Sequence, residues 1–154
     1  MFMRIISTII FIIIFSTSLL ADLQKPTPDI APKDVVKIQL SSLMNNNQPY
    51  LNAGIEQTWE FAHPENKINT GPLNNFKKML KNEIYSILLN HKDHKIEEIY
   101  NNKKIAIYDV IILGSDNFYY EFKWQVERYN GKGSLNNCWL TTAVSNPVSL
   151  GASI

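Results

Sequence analysis

Asp109 stands inside the long apolar run KKIAIYDVIILG, where a carboxylate is out of character. If the following GSDN closes a two-residue hairpin turn, Gly114 lies opposite Asn117, and Asp109 lies opposite Phe122. Ile105, Ile107, Asp109, Ile111 and Leu113 then share one face with Phe118, Tyr120, Phe122, Trp124 and Val126. A carboxylate desolvated in such a lattice has its pKa raised toward the range of a general acid or base. Tyr120 or Tyr85 would serve it as a hydrogen-bond donor. The competing reading turns Asp109 outward by a bulge, or pairs it with a lysine or a backbone donor.

A second group of polar residues lies in FAHPENKINTGPLNNF, between two apolar-periodic segments. Pro64 ends one helix, Pro72 opens the next, and Gly71 permits the backbone angle between them. His63, Glu65, Asn66 and Thr70 then either form a polar rim for a ligand or partner, with the aromatic face of Tyr85, Tyr120 and Trp124 behind it, or they hydrogen-bond the corner into shape. His91 and His94, with Asp93 between them, are spaced to approach one ion, but no third ligand stands at a zinc-site spacing. The single cysteine, Cys138, can form no intramolecular disulfide, and beside Trp139 it reads as a buried thiol. There is no nucleophile elbow, phosphate-cradling glycine loop or metalloprotease histidine pair, and no residue set asks for a cofactor.

The elements that must position these residues follow from periodicity. From Pro32, the residues Val36, Leu40, Leu43 and Met44 mark one helical face. Leu51, Ile55, Trp59 and Ala62 mark a second helix, which ends at His63 because the residue before a proline is pushed out of the helical region. Leu73, Phe76 and Leu80 mark a third, with a further turn or two through Tyr85 and Leu88. The period then changes to two. HKIEEIYN, KKIAIYDVIILG, the segment Phe118 to Tyr129 and LNNCWLTTAV read as strands, and the third alternates an aromatic face with a polar one. The expected fold is α+β, with three N-terminal helices on a curved antiparallel sheet of about four strands.

At 154 residues, 45% hydrophobic and 19% charged, the chain suits one domain with a core of its own. Arg4, the run IISTIIFIIIF and the small and polar STS before Ala21 have the layout of a secretory signal peptide. The expected organisation is a signal at 1–21, an extended proline-bearing lead-in at 22–31, one domain at 32–144 and a tail at 145–154. The mature protein is thus expected in a periplasm or outside the cell, with no retained membrane anchor. Removing Arg4 takes 15 cations and 14 anions to 14 of each, so no basic surplus exists to displace counterions from a nucleic acid.

The run WEFAHPENKINTGPLNNFKKML, followed by Tyr85 and the LLNH of Leu88 to His91, resembles the uncharacterised family catalogued as domain of unknown function 4864. The matching positions are Ala62, His63, Pro64, Asn66, Lys67, Thr70, Gly71, Pro72, Phe76 and Met79. The family closes with a tryptophan and a glycine before a cysteine, whereas here Gly133 and Asn137 precede Cys138. The resemblance implies a cone-like fold similar to nuclear transport factor 2, with helices closing the back of a bent sheet around a pocket, and implies no activity. Two functions are expected from sequence. The first is a non-catalytic module binding a small ligand or a protein partner, with pairing into a homodimer through the outer sheet. The second is a small cofactor-free acid/base enzyme, of isomerase or dehydratase type, built on Asp109.

Overall fold

The computed structural model of the protein describes residues 22–153, so the expected signal peptide lies outside the described residues. The architecture is α+β. Four α-helices and a short 3-10 turn are followed by an open antiparallel sheet of five strands.

Helix α1 (Pro32–Met44) carries Pro32 in its first turn, where its missing N–H costs nothing, and buries Val35, Val36, Gln39, Leu40 and Leu43. It lies across the inner face of the sheet and reaches β1 (Asp93–Asn101), β2 (Ile105–Leu113), β3 (Phe118–Arg128) and β4 (Trp139–Val144). Helix α2 (Ala53–Glu60) packs closely on α1 at Gly54, where a methyl group would run into the Ser42 carbonyl. The buried Asn46 holds its start: Asn46 Oδ1 accepts from the Ile55 N–H at 3.1 Å and the Asn46 carbonyl accepts from Gly54.

Where sequence pattern suggests a corner, residues Pro64–Thr70 form a third helix, α3, ended by Gly71 at φ 84°. The helices therefore number four among the described residues rather than three. Pro64 occupies the first turn of α3, and His63 caps it, with Nδ1 accepting from the Glu65 N–H at 3.2 Å. None of its residues is buried, so it shows no apolar stripe. Helix α4 (Leu73–Leu80) follows Pro72 and buries Phe76 and Leu80. The 3-10 turn Ser86–Leu88 buries Leu88.

The sheet order is β1-β2-β3-β4, and β5 (Val148–Ala152) also pairs with β3. Strand β4 borders the half of β3 from Trp124 to Arg128, and β5 borders the half from Phe118 to Glu121. The two thus lie end to end along one edge of β3. Between them, the Ser145 hydroxyl accepts from the Lys123 N–H at 2.8 Å and the Ser145 N–H donates to the Lys123 carbonyl. The expected loose tail at 145–154 instead contains a strand. Bulges at Gln125/Val126 and Tyr119/Tyr120 bend this edge.

The β2–β3 hairpin corrects the expected register. Gly114 pairs with Phe118, its N–H donating to the Phe118 carbonyl at 2.9 Å, and Asn117 adopts φ 67° as an extra loop residue. The loop is therefore Ser115-Asp116-Asn117, a turn followed by a left-handed residue, not a two-residue turn. One added residue moves every partner to the opposite face. Ala106, Tyr108, Val110 and Ile112 now face inward beside Phe122, Trp124 and Val126, all of them buried. Asp109 lies on the outer face opposite Lys123.

Candidate functional site

A cavity of about 260 Å³ lies between the helices and the β3–β4 end of the sheet. Its floor is polar. Gln39, alone among the buried positions of α1 in being polar, aims its amide at Trp124 on β3 and Thr141 on β4. The Trp124 Nε1–H is shared between Gln39 Oε1 and Thr141 Oγ1, both at 3.2 Å. The Thr141 hydroxyl donates to Gln39 Oε1 at 2.6 Å, and Gln39 Nε2 donates to the Thr58 carbonyl at 3.1 Å. These bonds fix which end of the Gln39 amide is oxygen, and they satisfy a cluster that burial would otherwise penalise.

Its walls are apolar and rich in rings. Trp59 of α2 and Phe76 of α4 meet with centroids 5.0 Å apart, and Leu88 closes the depth. Tyr85 completes the wall, its hydroxyl donating to the Val144 carbonyl at 3.3 Å. The mouth is marked by exposed Ala143 and half-buried Asn66 and Thr70. Asn66 is strapped to β4, its Nδ2 donating to the Thr141 carbonyl at 3.0 Å and to the Thr142 carbonyl at 2.8 Å. Backbone bonds reinforce the strap, from the His63 N–H to the Thr141 carbonyl and from the Thr141 N–H to the Phe61 carbonyl. The corner is thus an extra short stretch of edge pairing, with Ala62 bridging Thr141 in parallel.

Among the residues singled out from sequence, Asn66, Thr70, Tyr85 and Trp124 come together around the cavity. The others do not. His63 caps α3 and sets its ring edge against Tyr129 at 5.4 Å, while Glu65 is exposed in the first turn of α3. Tyr120 gives its hydroxyl to Asp116 Oδ2 at 2.6 Å in the hairpin loop. Asp109 Oδ1 bonds Lys123 Nζ at 2.7 Å on the outer face, so no carboxylate enters the cavity from β2. The lattice reading fails because Asn117 lengthens the loop.

No family model, curated protein or solved structure matches the chain.

Gln39, Thr58 and Thr141 are cavity residues that pattern reading passes over. Gln39 carried a usable signal: it stands three residues after Val36 and four before Leu43, a polar residue on an apolar helical stripe. Thr141 had none, since a threonine in a strand is commonplace.

A histidine pair and a single thiol lie away from the cavity lining. His91 Nδ1 bonds the Leu88 carbonyl at 2.7 Å and His91 Nε2 bonds His94 Nδ1 at 2.8 Å. The two ring centroids lie 5.0 Å apart, edge to face. Among the described residues no group of three or more His, Cys, Asp or Glu side chains gathers. Burial pushes both imidazoles below the ordinary histidine range. The Cys138 thiol is buried, which pushes its pKa up and leaves it a poor nucleophile.

Proposed function

We propose that this chain is an exported, non-catalytic module that holds a small ligand between its helical layer and its sheet. The observation that carries the reading is the ring-lined cavity over the satisfied Gln39–Trp124–Thr141 floor, with no titratable carboxylate, imidazole or amine on its lining. An acid/base enzyme needs a proton-transfer group within reach of its substrate, and Asp109 is spent on Lys123 outside. The finer architecture we propose is the cone implied by the WEFAHPENKINTGP resemblance, and the edge bulges supply a bend of the kind it requires. Export rests on the layout of residues 1–21, and among the described residues no helix is long and apolar enough to cross a membrane.

The test is native mass spectrometry of the mature protein purified without denaturation, comparing wild type with Thr70→Trp and Asp109→Asn. A bound small molecule that survives Asp109→Asn and is lost in Thr70→Trp is the expected result. A bound species unaffected by blocking the mouth would place the ligand elsewhere.

A further inference from the structure

The chemistry of the cavity wall specifies its occupant more narrowly than the proposed ligand-binding role, on which this step rests. We infer that the ligand is an uncharged, largely planar molecule of about two fused rings, carrying one hydroxyl or N–H that meets Asn66 at the mouth.

Size comes first. A cavity of about 150 Å³ holds a single benzene ring, and drug-sized ligands occupy upward of about 300 Å³. The 260 Å³ here falls between them. Shape comes from the walls, where the rings of Trp59, Phe76, Tyr85 and Trp124 present flat faces and edges that pack best on another ring.

Charge is excluded by what the lining lacks. No Lys, Arg, Asp, Glu or His side chain lines the cavity, so an ion carried inside would lose its hydration with no counter-charge. Two cations on the surrounding helices, Lys67 and Lys77, are committed to other partners. Lys67 lies over the Trp59 ring, 5.4 Å from its centre, and reaches the Glu60 carbonyl, while Lys77 Nζ bonds Glu56 at 2.6 Å. Polarity at the mouth follows from Asn66 Oδ1 and from the Thr70 hydroxyl, which can donate or accept. The donors of Trp124, Thr141, Thr58 and Tyr85 are all given to protein acceptors. Asn66 spends its NH₂ on two β4 carbonyls, which leaves its Oδ1 as the side-chain atom it can offer, and that atom only accepts.

The experiment uses calorimetry and ligand-observed NMR on the mature protein with three probes that share one ring system: naphthylmethanol, naphthoate and naphthylmethylammonium. Naphthylmethanol is expected to bind, with the two ions at least about tenfold weaker, and Thr70→Trp or the exposed-rim variant Ala143→Trp is expected to abolish binding. Either ion binding as well as the alcohol overturns the inference while leaving the cavity a ligand site. No binding by any probe, with a co-purified molecule present in native mass spectra, overturns the ligand class alone. Equal binding by wild type and both mouth variants overturns the assignment to this cavity.

Discussion

Gln39 bears more of the site than any residue with recognisable chemistry. Its amide accepts from Trp124 and Thr141 and donates to the Thr58 carbonyl; in Gln39→Leu the Trp124 N–H keeps Thr141 Oγ1 and the Thr58 carbonyl keeps the Phe61 N–H, while the Thr141 hydroxyl loses its acceptor. A buried group left unsatisfied costs about 1–3 kcal/mol, so the variant should lower the free energy of unfolding in urea by about that much. An unchanged urea midpoint would show that water fills the gap. Tyr108 presents the converse. Its side chain is fully buried and its hydroxyl has no hydrogen-bond partner, while burial and the nearby Glu98 carboxylate push its pKa up to about 12. Tyr108→Phe removes a polar atom that nothing satisfies, so thermal unfolding should show an equal or higher Tm. A clear loss of stability would mean that the hydroxyl is bonded, with Glu98 the first partner to test. Asp109, by contrast, was conspicuous in sequence and is inert in place, because its partner Lys123 is largely in water.

The hairpin, the α3 helix and the β5 strand show what pattern could and could not reveal. The aromatic alternation of Phe118 to Val126 was legible because β3 buries one face and wets the other, and the helical stripes of α1 and α4 were legible for the same reason; on α2 only Ile55 and Trp59 of the expected stripe fall within the helix, since Leu51 precedes it and is 70% exposed and Ala62 follows it. Helix α3 buries no residue and β5 is mostly exposed, so neither left a hydrophobic period to read. The register was lost on one backbone angle. Asn117 at φ 67° adds a loop residue, and composition alone does not separate a two-residue from a three-residue loop in GSDN. At the site, Asn66, Thr70, Tyr85 and Trp124 were reachable from sequence, whereas the Thr141 contact depends on a bridge across 79 positions from Ala62 (141 minus 62). The hairpin yields a prediction of its own. Asn117→Gly should keep or slightly raise stability, while Asn117→Val should cost about 1–2 kcal/mol, since a branched side chain resists left-handed geometry. Urea unfolding of the pair checks it, and equal midpoints would mean that the loop can relax to another turn.

Across the molecule, acid should weaken the fold in two separate stages, because two kinds of group are held away from their ordinary pKa for different reasons. With His91 Nδ1–H given to the Leu88 carbonyl, His91 Nε2 must accept from His94 Nδ1–H, an arrangement that requires a neutral His91 ring. Burial is the largest cause of the lowered pKa at each; Asp93 opposes it at both, Lys37 on α1 reinforces it at His94, and His94 reinforces it at His91. A depressed histidine is neutral in the folded state while its unfolded counterpart takes up a proton. Stability is therefore flat above the unfolded value of 6.5 and falls as pH drops below it. Glu56 is lowered chiefly by its bond to Lys77, so its contribution is intact above 4.5 and is lost only as pH falls further, through its folded pKa. Urea midpoints measured from about pH 8 to about pH 4 should thus be level, then decline below 6.5, then steepen below 4.5. His94→Gln keeps a side chain that can bond His91 and removes one of the two titrating rings, so it should shrink the first decline and spare the second. A wild-type profile level down to about pH 5 would mean that the histidine pair accepts protons without leaving the fold.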